Sequence, residues 1–405
     1  MFYSYIKGAE KMRIKLGWSP KRYFFDTHRA LTPVETLRRV EAVVDKVGIT
    51  GIEDITGRDK LNIPVYLAHR PGTEAGAAPV HTGKGLTGDQ ARVSVLMEAI
   101  ERYSAEIKEE DRAKFKFESY NEGNSENKVE PSSLILSALS KVTPDSKIEW
   151  CEGYDLMAEE EVLLPANAVY HPYTTTRGGR LFRSDSNGIA SGNNLEEAIF
   201  HGMMEVIERD ALSYAEIKKD AGKRIAIEED DGLIYELKER FNSRGIETHF
   251  WYIPTDVGFP TVVLALDSPE KDANLLVYGA GTHSDPRIAA IRAITEAAQS
   301  RLMRIVKGSG ITPVDYDTVK RMNRHWFETK DGDKDAVRLS ELPYLATDTI
   351  DGDIKIALER LRAIEKRVLV VDLTREEIGI PVVRVVIPGF EVYARNPERL
   401  GHRYR

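Results

Sequence analysis

Apolar positions after Thr32 recur at helical spacing. Leu37, Val40, Val43 and Val44 share one stripe, and Thr32 stands where an N-cap is needed, which predicts a helix over residues 33–47. Short apolar runs predict strands at 51–56 and 64–68, and again at 249–253, 261–266 and 275–278. Residues 233–242 return to helical spacing, and 368–373 and 381–387 read as buried strands. Two polar stretches, 120–131 and 328–335, read as exposed loops. Helices and strands alternate without the regular crossovers of a doubly wound sheet, so the expected class is α+β with mixed or antiparallel sheets. The chain, 1–405, is expected to form a single integrated domain, its core at roughly 30–310 completed by strands within 366–395. Residues 1–11 precede a second methionine, Met12, and are expected to be disordered.

The most informative pattern is an internal repeat. Met97-Glu98-Ala99-Ile100-Glu101-Arg102 returns as Met204-Glu205-Val206-Ile207-Glu208-Arg209, each copy at the same distance from a glycine, Gly85 or Gly192. A third, degenerate unit follows Gly279-Ala280-Gly281, where Asp285 caps and Pro286 opens a helix bearing Arg292, Glu296, Gln299 and Arg301. In the first helix Leu96, Ala99, Ile100, Tyr103 and Ile107 fall on one side, with Ser94, Glu98, Glu101 and Ala105 opposite. In the second, capped by Asn193 or Asn194, Leu195, Ile199, Phe200, Met203, Val206 and Ile207 oppose a stripe of Glu197, His201, Glu205 and Glu208.

A solvated face of i,i+4 ion pairs, Glu98 with Arg102 and Glu205 with Arg209, would account for one such helix. It leaves the repeated glycine turn unexplained. Glycine before a helix lets backbone approach an anion, and the helix N-terminus attracts phosphate. Carboxylates a turn or two further on would repel phosphate unless divalent cations lay between them, as Mg²⁺ does. Glycine turns with glutamates therefore imply a magnesium nucleoside triphosphate, with Arg102, Arg209 and Arg292 able to orient carboxylates or take up phosphate charge. Gly83-Lys84-Gly85-Leu86-Thr87-Gly88 matches G-x-G-x-x-G in form only, because no convincing strand precedes it; nor is it a Walker A loop, although Lys84 is a candidate phosphate contact. His81, His201 and His283 stand near the three turns without zinc-site spacing, and only His201 lies inside a glutamate stripe.

Composition narrows the setting. A net charge of -8 from 57 basic and 65 acidic residues disfavours nucleic acid and acidic membranes as partners. The single cysteine, Cys151, excludes an internal disulfide and cysteine-rich metal sites, and suits a reducing compartment. With neither a signal-peptide pattern nor an apolar run long enough to span a bilayer, the expected location is cytoplasmic.

Lys84 to Glu106, Ser186-Asn187-Gly188-Ile189-Ala190-Ser191-Gly192-Asn193 through Asp210, Thr295 to Arg301, and Pro381-Val382-Val383-Arg384 to Gly389 together resemble the YcaO family across nearly the whole chain. The resemblance implies the YcaO fold, ATP and Mg²⁺ as cofactors, and activation of a peptide backbone amide by phosphorylation of its oxygen. By motif position it implies Glu98, Glu101, Glu205, Glu208 and Glu296 as magnesium ligands. Ser94, Arg102, Asn193, Arg209, Arg292 and Gln299 match nucleotide contacts, with Glu197 close by. Several relatives carry a hydroxyl where this chain has Ala190, with Ser191 next to it, and that contact is left unassigned. No catalytic base is assigned either.

Azoline-forming members generally end in a proline-rich tail, whereas this chain ends Gly401-His402-Arg403-Tyr404-Arg405. It is most similar to archaeal members that work with a TfuA-like partner and use sulfide to place a thioamide in a glycine of methyl-coenzyme M reductase. The resemblance also implies a peptide or protein substrate and a homodimer. The alternatives are an azoline- or amidine-forming cyclodehydratase and a non-catalytic ATP-binding accessory protein.

Overall fold

The computed structural model describes residues 14–175, 177–308, 315–328 and 335–405. The expectation for residues 1–11 and most of the second polar loop therefore lie outside the described residues. The fold is α+β, as the pattern predicts, built on three sheets that are antiparallel except for the short pairing of Val337–Arg338 with Lys223–Ala226. A three-stranded sheet runs Gly51–Asp54, Val65–His69, Val80–Lys84. A five-stranded sheet runs Val277–Thr282, Thr261–Asp267, Glu247–Ile253, Lys223–Ala226, Val337–Arg338. The third runs Lys116–Glu118, Ile148–Asp155, Leu369–Asp372, Val382–Val386, Ile189–Ser191, with Glu160–Pro165 also paired to Ile148–Asp155.

Three edge strands feed the three repeat helices. Val80–Lys84 leads into Gly88–Ala105, Ile189–Ser191 into Leu195–Lys218, and Val277–Thr282 into Pro286–Lys307. Each helix is capped as its local chemistry dictates: Thr87 accepts from the Gln90 amide, Asn194 from that of Glu197, and Asp285 from that of Arg287.

Alternation along the strands decides what each sheet face meets. In the third sheet Leu369, Val371 and Val382 share a core with Leu96, Ala99 and Ile100 of the first helix. On its other face Val370, Val383 and Val385 share one with Ile199, Met203 and Ile207 of the second. In the five-stranded sheet Val263 and Ala265 join Ala211, Leu212 and Ala215 of the second helix, while Val262 and Leu264 join Ala289, Ala293 and Ala297 of the third. In the three-stranded sheet Val65 and Leu67 join Leu302 of the third helix, and Ala68 joins the first. Helices and sheets thus alternate around a closed ring. A helix that the pattern reading passes over, Ile350–Ala363, adds Ile354, Ala357 and Leu361 to the core around the second helix.

Several local expectations are corrected. The helix predicted over 33–47 breaks into Pro33–Glu41 and Val44–Val47. A strand does carry Gly83, but its mixed sequence, Val-His-Thr-Gly-Lys, shows no apolar alternation. Ala105 is fully buried rather than on a polar face, and Ile107 lies beyond the helix end at Ala105.

The strands press close to their helices. A Cβ at Gly85, Gly192 or Gly281 would stand 2.7, 2.4 or 3.0 Å from the amide nitrogen of Ala91, Ala198 or Ala293 in the helix that follows. At Gly279 the clash is worse, 2.1 Å from the Ala297 nitrogen, because strand and helix backbones are in direct contact there. Gly279→Ala is expected to destabilise by about 2–3 kcal/mol or more, seen as a fall in Tm. Gly51→Ala, with nothing within 4 Å of its Cβ, should leave Tm close to wild type.

Candidate functional site

The ring brings the three repeat helices around one cavity of about 290 Å³, with Gly85 and Asn193 lining it from the turns of the first two units. Of the residues singled out in sequence, Lys84, Ser94, Glu98, Glu101, Asn193, Glu197, Glu205 and Arg292 line it. Arg102, Arg209, Glu208 and Glu296 stand just behind that lining, and Gln299 lies outside it. The solvated-face reading of the stripes fails: Glu197 and Glu208 are 3% and 2% exposed.

Each helix reaches the end of the next unit's edge strand. The backbone N–H of Ser191 donates to the Glu101 carboxylate at 2.9 Å, and its hydroxyl does so at 2.7 Å. In the second helix, Glu208 accepts the Thr282 N–H at 3.1 Å. Glu296 of the third accepts the Lys84 ammonium at 2.9 Å. Ser191, Thr282 and Lys84 are the last residues of the three edge strands, so the contacts run cyclically around the cavity.

The electrostatics follow from this enclosure. Burial pushes the Glu101 carboxyl up to about 7, against the pull of Arg102 and Ser191. Burial likewise raises Glu208, against Arg209. Glu296 is pushed up by burial too, but Lys84 and Arg209 outweigh it and hold the group below the usual carboxylate range. Arg102 pairs with Glu98 at 3.5 Å and Arg209 with Glu208 at 3.1 Å. Burial disfavours both cations, yet the surrounding glutamates overcome it and raise both. Burial, with Arg29 and Arg292, keeps His201 far below the ordinary histidine range and therefore neutral at pH 7. His201 Nε2, Arg292 Nε and Arg102 Nη1 are buried without a hydrogen-bond partner. Among the described residues no three His, Cys, Asp or Glu side chains lie close enough to hold a metal ion by themselves.

The sequence reading missed the segment that closes the cavity. Tyr23, Asp26, Thr27 and Arg29 line it from an irregular stretch with no periodicity to flag it. That stretch is pinned to the second unit, where Glu197 accepts the Ala30 N–H at 2.9 Å and lies 3.8 Å from the Arg29 guanidinium. Asn193 is held from the same side, its Oδ1 accepting from the Thr36 hydroxyl at 3.0 Å. Gln90 completes the wall by donating to the Tyr23 hydroxyl at 2.6 Å.

Three strand–turn–helix units whose helices bring Glu98, Glu101, Glu197, Glu205 and Arg292 onto one cavity define a site built on neither a Rossmann nor a P-loop plan. Residues 82–391 match the family model described as YcaO cyclodehydratase, binding ATP and Mg²⁺, and the chain belongs to the YcaO family. It is 43% identical over 390 residues to an uncharacterized protein of Methanothermobacter thermautotrophicus, covering 93% of this chain and 98% of that one. It is 31% identical over 385 residues to an uncharacterized protein in the tfuA 3′ region of Rhizobium leguminosarum, covering 90% and 89%. The solved structure of YcaO from Methanopyrus kandleri, bound with AMPPCP and Mg²⁺, superposes with a TM-score of 0.78 at 29% identity, covering 95% of this chain and 98% of that one. A heterocyclase in complex with substrate and cofactor shares the fold, with a TM-score of 0.81 at 24% identity over 94% of this chain and 55% of the heterocyclase. No helix among the described residues is long and apolar enough to cross a membrane.

The Ser191 hydroxyl is one of the groups that holds the Glu101 proton affinity down. Ser191→Ala is therefore expected to move the Glu101 carboxyl above about 7, read from the pH dependence of its side-chain ¹³C shift. An unchanged or lower value would mean that the bond to Ser191 does not stabilise the carboxylate.

Proposed function

We propose that the chain binds ATP with Mg²⁺ in the 290 Å³ cavity and activates a peptide backbone amide by phosphorylating its oxygen, after which sulfide displaces phosphate to leave a thioamide. The observation that carries the reading is the convergence on one cavity of Glu98, Glu101 and Glu205 from two of the repeat helices and Arg292, with its partnerless nitrogen, from the third. An amide oxygen is a poor leaving group until it becomes a phosphate ester, and phosphoryl transfer depends on positioning and charge neutralisation. The substrate in this reading is a glycine of methyl-coenzyme M reductase, the sulfur source a TfuA-like partner, and the enzyme a homodimer in the cytoplasm. The relative in a tfuA 3′ region supports the partner. The family's description as a cyclodehydratase favours azoline formation as the second reading.

The donor set suits Mg²⁺. This ion is bound through one or two carboxylates together with substrate phosphates, and the lining offers carboxylates beside the space a nucleotide would fill. Glu98, Glu101 and Glu205 would supply oxygens from the lining, and Glu208 and Glu296 by exchanging their present partners. Bound there, the ion neutralises phosphate charge. Lys84, Ser94, Asn193 and Arg292 would hold and orient the nucleotide from the cavity wall, Arg102 and Arg209 would fix the glutamates, and Glu197 would keep the closing segment in place. Gln299 lies one turn beyond the lining residue Thr295 and is given no contact.

Titration calorimetry of ATP with and without Mg²⁺ tests the site. Magnesium-dependent binding is expected in the wild type and its loss in Glu98→Gln/Glu205→Gln; binding unchanged by the substitutions would remove the carboxylates from the site. Peptide mass after turnover separates the two chemistries, sulfur-for-oxygen exchange marking thioamidation and loss of water marking azoline formation. A pH dependence follows from Glu101, whose carboxyl holds a proton below about 7 and must release it to ligate a cation. Magnesium-dependent affinity is expected to fall by up to about tenfold per pH unit on the acid side and to level off on the alkaline side. A profile of the same slope in Glu101→Gln would assign the titration to another group.

A further inference from the structure

A second cleft is lined by neighbours of residues that line the first. It measures about 40 Å³ and is bounded by Asp185, Asn187, Arg384 and Arg399 among apolar residues that include Val206. The two spaces share one strand–helix seam: Glu205 and Ile189 line the large cavity, and their near neighbours Val206 and Asn187 line the small one. Asp185 organises its polar wall. Its carboxylate accepts from Arg384 at 3.3 Å, from Arg399 at 2.9 Å and from the Asn187 N–H at 3.0 Å, while its backbone carbonyl accepts from Arg384 at 2.8 Å. The Arg399 guanidinium also lies 3.6 Å over the Phe182 ring. These contacts fix both arginines.

Two polar atoms in this wall are left over. Arg384 Nε, a donor, and Asn187 Oδ1, an acceptor, are both buried without a partner. Leaving a buried donor or acceptor unsatisfied is costly, and two of opposite sense on residues that line one small cleft suit a ligand that offers one acceptor and one donor. A peptide amide offers a C=O and an N–H. The volume of about 40 Å³ corresponds to roughly three waters at ~10–15 Å³ each, enough for an amide and little more. Arg384 pairs in the sheet with Ile189, which lines the large cavity, so it stands on the seam between the two spaces.

We propose that this cleft receives the backbone amide to be modified, its carbonyl oxygen taking the Arg384 Nε–H and its N–H donating to Asn187 Oδ1. The proposal rests on the reading of the large cavity as the nucleotide site, because only then does the amide oxygen arrive beside the phosphate. The volume admits a residue with little or no side chain. Neither group takes a proton from the substrate, so both are binding residues.

The test uses the full chain with N-acetylglycine N-methylamide as the probe, following the Arg384 Nε–H resonance of ¹⁵N-arginine-labelled protein, assigned from its absence in Arg384→Lys. AMPPCP and Mg²⁺ binding is measured on the same samples. A saturable shift with Kd of about 1–10 mM is expected, weakened about 2- to 10-fold in Asn187→Ala, the worth of one hydrogen bond. No saturable shift in protein that still binds AMPPCP overturns the cleft assignment and leaves the nucleotide reading intact. A shift unaltered by Asn187→Ala overturns it as well, and failure to bind AMPPCP overturns the nucleotide reading on which it depends.

Discussion

Edge strands carry backbone N–H groups that no neighbour in the sheet can satisfy, and here such strands are driven into the centre of the molecule. Ser191 and Thr282 end two of them, and both are buried. Their N–H groups are satisfied by the side chains of Glu101 and Glu208, which belong to the preceding unit of the repeat. A hydroxyl or amide would serve as an acceptor for one bond, but a carboxylate brings charge as well, and charge in an enclosed space demands a countercharge. The arginine that follows each glutamate answers that demand, Arg102 behind Glu101 and Arg209 beside Glu208. The latch that closes the ring and the charge pattern of the cavity are therefore one arrangement.

The third unit shows how far the repeat can degenerate without opening the ring. It has no Met-Glu-x-Ile-Glu-Arg copy, and Glu296 engages a lysine side chain instead of a backbone amide. The cyclic order survives because strand–helix contact is set by glycine at the close approach rather than by the carboxylate. Gly281 presses on Ala289 and Ala293 of its helix as Gly85 presses on Gln90 and Ala91 of its own. The lining is chemically asymmetric within a nearly symmetric frame: the first helix contributes the Ser94 hydroxyl, the second the neutral His201 imidazole and the third the Arg292 guanidinium.

Part of this was legible in the chain. The Glu-x-x-Glu-Arg repeat, the glycines at constant distance and the Asp285-Pro286 helix start identified three helices and most of the polar residues around the cavity. Strands of uniform apolar character, such as Thr261–Asp267, were also plain, because burial on both faces leaves a continuous apolar run. What escaped had no periodic signature. The edge strand Val80–Lys84 buries His81 and Gly83 rather than apolar side chains and reaches the cavity only at Lys84, and the stretch from Tyr23 to Arg29 that walls the cavity is irregular.

Sequence alone determined the class of fold, the three helix starts and the kinds of chemical group available, since caps, apolar spacing and glycine positions act over a few residues. Only the tertiary structure decided which carboxylates latch one unit to the next. Glu98 and Glu101 lie on the same helical stripe, yet one pairs with a neighbouring arginine and the other with the end of a strand 90 residues away. The same holds for Asp185, whose two arginines come from the far end of the chain. Burial and partner choice are set by the closure of the ring, and that closure depends on contacts between segments whose order in the chain carries no trace of their distance in space.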